Sequence, residues 1–424
     1  MVAAGLYGRV DTAEMNRARN FVHSVLAQPW IFALAVMAAY ALLLLPALWR
    51  AGFDPSGFIV AGDMYVARQH GVTPIIIRHA SAGYDGQFYY RLALAPFNRD
   101  ATAFGVGFDE TAKRMRRTLY PLIVHIVTFS RPRLVPSAMV LVNLCGVGAV
   151  AACAVKLANR LTLPAWFPVA LVAWPGFLVT LTHDTTEITA AACLIAALYA
   201  YVTDRLCLYV LLGAAATLAR ETSLLALLGI LAMEAVRALR LGTTHRQIRR
   251  LLPFAIAPVP YLVWRTSLSL YLGPAPPLAS VGSDIGWPLQ GAIGMLLHAA
   301  SALPTEITLR PIRIFELLCG VAGAASLLLF CAATAVCSAA ALRDATLARV
   351  AAAWLPIAAL MSLLTAAGPW IEPTSFFRAF TECYVVGLPL YAWRPMPRPV
   401  SLAIFGGGAL SFAGLWLQTL GHIR

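Results

Sequence analysis

The run Gly83-Tyr84-Asp85-Gly86-Gln87-Phe88-Tyr89-Tyr90 sets one carboxylate among glycines and aromatic rings. Gly83 and Gly86 permit a tight turn that exposes Asp85. Tyr84, Phe88, Tyr89 and Tyr90 carry amphipathic rings that suit a membrane interface or stack on the face of a sugar. The chemistry on offer is that of one acid at a water–lipid boundary. The plainer reading is an interfacial turn with an aromatic belt. Asp63, in Gly62-Asp63-Met64-Tyr65, is either a second carboxylate of the same site or the N-cap of a helix running toward His70, since Asp is a favoured cap.

Three further groups could join it. In His183-Asp184-Thr185-Thr186-Glu187, Asp184 and Glu187 have the spacing of a capping box. The same pair suits an acceptor or a divalent metal. Arg220-Glu221-Thr222 falls between two apolar runs. A charge within or beside a span costs about 2.5–3.5 kcal/mol on insertion scales, so it has a partner or a task. Arg220 and Glu221 form either a mutual ion pair or a site in which Arg220 faces an anionic phosphate. Arg378 follows Phe376-Phe377, with Glu372 before it and Glu382 after it. Its planar donor fork suits phosphate. Arg310 and Arg313 offer the same chemistry but read first as headgroup contacts.

These residues are spaced along a chain that is mostly apolar. It has 424 residues, of which 60% are hydrophobic and only 12% charged. A hydrocarbon core needs ~20 apolar residues per helix, and such runs recur near 30–49, 134–157, 163–182, 185–203, 206–219, 221–240, 251–272, 315–342, 348–368, 379–393 and 399–418. The expected fold is all-α, a polytopic transmembrane bundle of about eleven helices in one membrane domain. The first apolar run is too long for a signal-peptide h-region and is expected to remain as a helix. The eight cysteines lie in or at the ends of apolar runs without CxxC spacing, so they read as small core residues.

The net charge of +13 would ordinarily suggest nucleic acid. Here the basic residues sit in short loops: Arg9, Arg17 and Arg19, then Lys156 and Arg160, Arg205, a cluster from Arg237 to Arg250 that includes Arg240 and Arg246, Arg343 and Arg349, Arg394 and Arg398. All fall on one side of the span pattern, which the positive-inside rule makes cytoplasmic. No nucleic-acid partner is expected. The other side receives loop 50–133, the turns at His183-Asp184 and Arg220-Glu221, loop 273–314 and loop 369–378. Within loop 50–133, Leu119 to Phe129 is apolar but too short to span. It reads as an interfacial helix, led in by Lys113, Arg114, Arg116 and Arg117 at headgroup level.

There is no Walker A loop, no GxGxxG after a strand and no HExxH, which leaves ATP-driven transport, nucleotide oxidoreduction and zincin proteolysis without support. The runs Tyr84 to Tyr90, Arg116-Arg117-Thr118-Leu119-Tyr120-Pro121-Leu122, Asp184-x-x-Glu187 and Ala219-Arg220-Glu221-Thr222 resemble the GT-C class of membrane glycosyltransferases. The likeness is to a bacterial branch linked to cell-surface glycopolymer formation and covers roughly residues 58–240. It implies a GT-C-like bundle in the bacterial inner membrane with its site on the periplasmic face. The implied donor is a polyprenyl-phosphate sugar, and the acceptor a glycan, lipid or protein. Asp85 is the implied general base of an inverting transfer. Asp63, Tyr84, Gln87, Tyr89, Asp184, Glu187, Arg220, Glu221 and Arg378 are the implied substrate-binding residues. The paired Asp-x-Asp that many of the class carry is missing from the first loop, and no cofactor is implied beyond a divalent metal. A lipid-linked sugar flippase, a surface-polysaccharide polymerase or ligase and a non-catalytic assembly factor are the competing classes.

Overall fold

The structure, a computed structural model, describes residues 28–67, 75–100, 102–129, 131–242, 245–273, 284–306, 311–365 and 369–421. Arg9, Arg17, Arg19, His70 and Arg310 lie outside these, as do the side chains of Arg246 and Arg313.

The described residues are predominantly helical. Helix α1 (Pro29–Arg50) leads into a first-loop layer of two minimal strand pairs and three short helices. These are β1 (Ala61–Gly62) with β2 (Ile77–Arg78), parallel, and β3 (Thr102–Ala103) with β4 (Val106–Gly107), antiparallel. The helices are α2 (Gly86–Leu94), α3 (Thr111–Met115) and α4 (Leu119–Val127). The bundle continues through α5 (Val135–Leu161), α6 (Trp166–Val172), α7 (Pro175–His183), α8 (Glu187–Val202), α9 (Leu206–Ala219) and α10 (Ser223–Arg240). It closes with α11 (His245–Ile256), α12 (Val259–Leu272), α13 (Gln290–Glu306), α14 (Pro311–Ala341), α15 (Leu347–Ser362), α16 (Pro373–Ala379), α17 (Thr381–Trp393) and α18 (Arg398–Gly421).

Among the described residues, five segments are long and apolar enough to cross a membrane: Pro29–Arg50, Pro132–Leu161, Trp166–His183, Ile314–Ala341 and Arg398–Leu420. Their outer faces and those of their neighbours leave Leu34, Leu42, Leu141, Leu211, Leu318 and Leu402 exposed. Leucine on that scale is a natural surface against lipid tails and an aggregation hazard in water. The apolar runs at 185–203, 206–219 and 348–368 appear as the shorter helices α8, α9 and α15.

Proline sets the places where helices depart from the apolar pattern. The run 251–272, expected as one span, is two helices, α11 and α12, joined at Ala257-Pro258. Pro258 and Pro260 supply no N–H to carry the ladder across. Likewise α6 and α7 are two pieces of one crossing segment. Trp174, ahead of Pro175, takes an extended conformation (φ −61°, ψ 123°), because the ring of a following proline disfavours the helical one.

Helix α17 is the axle of the bundle. Thr381 to Ala392 are buried at every position, the signature of a helix surrounded by others. It packs against α6, α8, α14 and α15. Trp174 stacks on Tyr384 at 4.2 Å and donates to Thr381 Oγ1 at 3.0 Å, which ties the α6–α7 break to the start of α17. The first-loop layer has a core of its own, built on Phe88, Tyr89, Tyr90, Met115, Tyr120 and Val124. Within it the apolar stretch after Arg117 forms helix α4, which buries Tyr120, Pro121 and Val124 and leaves Ile126 and Phe129 exposed.

Gly176 makes the closest of these junctions possible. A Cβ there would lie 2.5 Å from the Phe377 carbonyl and 2.3 Å from Trp174 Nε1. Gly176→Ala should therefore destabilise the protein by about 1–3 kcal/mol, the usual range for overpacking. Thermal unfolding in detergent measures it, with Gly406→Ala as the control, because nothing lies within 4 Å of a Cβ at Gly406. Equal midpoints for the two variants would show that the α7–α16 junction tolerates a methyl group.

Candidate functional site

Asp85 stands at the N-terminal end of α2, and glycines hold it there. Gly83 has φ +68°, a left-handed conformation that glycine adopts without strain. Gly86 acts by close approach instead, since a Cβ on it would meet the His183 carbonyl at 2.4 Å and the Ile59 carbonyl at 2.7 Å. The turn is thereby pressed against the end of α7, where Tyr84 packs on the His183 ring at 4.4 Å.

Two arginines share the Asp85 carboxylate. Arg114, from α3, reaches one oxygen at 2.7 Å, and Arg378, from α16, reaches the other at 2.7 Å. Each guanidinium is also fixed elsewhere. Arg114 makes a two-point pair with Asp109 at 2.9 and 2.5 Å and lies over the Phe88 ring at 4.6 Å. Arg378 lies over the Tyr84 ring at 4.8 Å and points its Nε at Glu187, 3.4 Å away. Beside them Arg117 grips Glu221 bidentately at 3.0 and 2.8 Å and donates to the Tyr89 hydroxyl at 3.3 Å.

A second layer lies underneath. Arg220 is 5% exposed, and Glu187 and Glu382 are fully buried. The Arg220 guanidinium pairs with Glu382, donates to the Arg378 carbonyl at 3.2 Å and the Ala379 carbonyl at 3.4 Å, and sits 3.7 Å from Glu187. Glu382 also accepts from Thr222 at 2.6 Å and Ser223 at 3.4 Å. The upper layer is partly open, with the Asp85, Arg378 and Arg114 side chains 14%, 16% and 10% exposed. The lower one is sealed, so a ligand meets Asp85, Arg114 and Arg378 first.

Electrostatics sharpen this division. Burial alone would raise the Asp85 carboxyl, but Arg378 and then Arg114 outweigh it and hold it well below the usual carboxylate range. Burial likewise opposes ionisation of Glu221, and Arg117 overrides it, holding Glu221 down to about 2. Asp184 is different. It is fully buried, no hydrogen-bond partner reaches either oxygen, and burial pushes its carboxyl well above the ordinary value. Beside it the buried Thr185 and Thr186 hydroxyls and both Glu187 oxygens lack hydrogen-bond partners. That leaves a patch of unspent polar capacity under the site, unusual for native interiors.

Of the residues singled out from sequence, Asp85, Tyr84, Tyr89, Glu187, Arg220, Glu221 and Arg378 come together here. Several local expectations are corrected. The capping box of Asp184 and Glu187 does not form. Asp184 ends α7 in a left-handed conformation (φ 46°), and Thr186 precedes α8 without a side-chain cap. Arg220 and Glu221 are not each other's partners, since each pairs with a distant residue. Asp63 caps no helix among the described residues. It accepts from the Ala80 and Ser81 amides at 2.9 and 3.1 Å and lies 3.5 Å from His79, contacts that do not reach the Asp85 cluster. Gln87 is buried with both ends occupied, accepting from the Gly62 amide and donating to the Ala82 carbonyl, so it organises the loop. Arg114 and Arg117, expected at headgroup level, lie instead in this charged cluster, paired with Asp85 and Glu221. Glu382, noticed only as a neighbour of Arg378, is the anchor of the lower layer.

Among the described residues no three His, Cys, Asp or Glu side chains gather as a metal-holding set. The partly exposed groups on the Asp85 carboxylate are guanidiniums, whose donor forks suit an anion. A large cavity, about 1520 Å³, lies elsewhere, running from Thr162 and Arg394 to Trp174 and Pro175 between α1, α6, α14, α17 and α18. Its inner wall includes Trp174 and Tyr384. Trp174 touches Phe377 and Thr381, the sequence neighbours of Arg378 and Glu382.

Two outcomes follow. Arg220→Ala strands two buried carboxylates and should cost about 3–5 kcal/mol in unfolding experiments, whereas a loss below 1 kcal/mol would show that water replaces the guanidinium. Glu221 has a lowered value in the fold, so its pairing stabilises fully above the ordinary value of 4.5 and is lost as pH falls toward about 2. Glu221→Gln should remove that share, giving a midpoint that drops less than wild type across this window. Parallel curves would mean that Arg117 contributes nothing through Glu221.

No protein-family model matches the chain, and neither curated proteins nor solved structures include a match to it.

Proposed function

We propose that the protein is a GT-C-type membrane glycosyltransferase. On this reading it moves a sugar from a polyprenyl-phosphate donor to a glycan, lipid or protein acceptor at the outer face of a bacterial cytoplasmic membrane. The bundle then has about eleven spans, with the N-terminus and the basic turns in the cytoplasm. The observation that carries the proposal is the Asp85 carboxylate divided between Arg378 and Arg114. A phosphate can replace the carboxylate on the arginines, and a hydroxyl can then meet the carboxylate so released.

The reaction follows from that exchange. In the free protein Asp85 is ionised but a weak base, because two guanidiniums neutralise it. When the donor binds, its phosphate engages the Arg378 and Arg114 forks. Asp85 loses the charges that depress it, and its proton affinity rises as the donor becomes seated. It takes the proton of the acceptor hydroxyl. The acceptor oxygen forms a bond to the anomeric carbon from the side opposite the phosphate. The bond from that carbon to the phosphate oxygen breaks, and its electron pair leaves with polyprenyl phosphate. Arg378 stabilises the charge growing on that oxygen. The anomeric configuration inverts, and the proton on Asp85 is released to water.

Two further features support this reading. Glu187, Arg220 and Glu382 fix Arg378 from beneath, which keeps the receiving fork in place during the exchange. The apolar cavity ending at Trp174 and Tyr384 offers room for a long isoprenoid chain close to the phosphate position.

The test compares the glycans of cells lacking the protein after complementation with wild type or Asp85→Asn at matched membrane levels. Wild type should restore a missing sugar, and the variant should transfer it about 10²–10⁴-fold more slowly, the range for loss of a general base. Full restoration by Asp85→Asn would favour a flippase or an assembly role over catalysis.

A further inference from the structure

The end of the bundle opposite Asp85 has a cavity of its own, about 480 Å³, lined by Arg160, Asp204, Arg237, Arg240, Thr346 and Arg349 together with Val202, Leu241 and Ala345. The helices that carry the candidate site also build this cavity. Helix α8 begins at Glu187 and ends at Val202, α9 begins just after Asp204 and ends before Arg220, and α10 runs from Ser223 to Arg240. At 1.5 Å per residue, the two sites are roughly 20–25 Å apart along these axes.

The four guanidiniums are of two kinds. Arg237 and Arg349 are fixed. Arg237 donates to Glu234 at 3.0 Å and to the Ala345 carbonyl at 2.9 Å. Arg349 donates to Asp204 at 3.1 Å and to the Tyr201 carbonyl at 3.3 Å, and lies over the Tyr201 ring at 4.9 Å. The Tyr201 hydroxyl donates to Glu234, which links the two. The Nε of Arg349 is buried and has no hydrogen-bond partner. Arg160 and Arg240 are exposed and have no ion pair among the described residues. The cavity therefore holds two guanidiniums pinned at its wall and two free at its mouth. Asp204 and Glu234 balance only half of their charge.

Arginines that merely orient a membrane protein need no cavity and no scaffold. This set has both. Four donor forks from the ends of α5, α10 and α15 surround one concave space, which matches the tetrahedral, multiply accepting oxygens of phosphate. The rim favours a lipid as the bearer of that phosphate. Leu241 lines the cavity and is 69% exposed, and Leu239 beside it is 67% exposed, an apolar lip where an acyl chain can lie. Basic pockets between helix ends at the positively charged face of a membrane suit anionic headgroups.

We infer that this pocket is a phosphate-binding site, separate from the Asp85 cluster, which holds the headgroup of an anionic lipid between Arg160, Arg237, Arg240 and Arg349. The inference does not rest on the proposed transferase activity.

The experiment uses the full chain purified in uncharged detergent. Retention of phosphatidylglycerol and phosphatidylcholine is measured by native mass spectrometry for wild type, Arg160→Ala/Arg240→Ala and Arg133→Ala. In parallel, the shift in thermal midpoint with added inorganic phosphate is recorded. Arg160 and Arg240 have no ion pair to lose among the described residues, so the double variant should fold, and its midpoint without ligand checks this. The expected result is selective retention of phosphatidylglycerol that falls about tenfold or more in the double variant and is unchanged in Arg133→Ala. A phosphate-induced shift lost in the double variant, with lipid retention unaffected, would keep the phosphate site but assign it to a soluble ligand. If neither lipid retention nor the phosphate shift depends on Arg160 and Arg240, the pocket is not a phosphate site.

Discussion

The buried charge of Arg220 is the constraint on which the rest of the structure depends. A guanidinium taken out of water costs several kcal/mol unless it is paired and its hydrogen bonds are filled. Glu382 supplies the pair, and the carbonyls of Arg378 and Ala379 share the same Nη1 as acceptors. Those partners belong to the junction of α16 and α17, whereas Arg220 belongs to the turn between α9 and α10. Satisfying one charge therefore welds two distant parts of the chain. It also fixes the backbone of Arg378, and with it the direction of the fork that meets Asp85.

The two layers of the cluster divide labour by accessibility. The lower layer is sealed and serves as foundation. The upper layer is partly open, and on the proposed reading it carries charges whose partners a ligand exchanges. Four arginines face five carboxylates across both layers, counting Asp85, Asp109, Glu187, Glu221 and Glu382. The cluster is nearly neutral, so it attracts no ion by bulk charge. Selectivity must come from geometry, through a group that can take the place of Asp85 on two forks at once. Such an arrangement is stable when empty and still responsive when filled, which a row of unpaired arginines would not be.

Much of the fold was legible because apolar runs are local signals. The boundaries of α1, α5 and α14 follow from hydropathy, whereas the α6–α7 break at Pro175 falls inside the run 163–182 expected as one span. The joint at Pro258 was missed because the apolar character runs through it without interruption. Asp85 was legible from its glycine and aromatic setting, and Arg378 from its place among acids and aromatics. Their pairing was not, since the two residues stand 293 positions apart. Arg117 and Glu221 are 104 apart, and Arg220 and Glu382 are 162 apart. No periodicity or spacing encodes contacts of that range. Local patterns misled in one place, where Asp184 and Glu187 have capping-box spacing but Asp184 ends α7 in a left-handed turn and α8 starts only at Glu187.

Helices α8 and α9 have 16 and 14 residues, or roughly 24 and 21 Å at 1.5 Å per residue. A hydrocarbon core is about 30 Å thick. On the proposed reading, two helices that join the charged ends of the bundle are thus shorter than the barrier they would cross. A bilayer answers such mismatch by thinning around the protein. Lipid headgroups would dip toward the ends of α8 and α9, and tails beside the bundle would be compressed. Any lipid-linked molecule moving in that leaflet would be carried down to the level of Asp85 by the shape of the membrane, without lifting its chain out of the hydrocarbon.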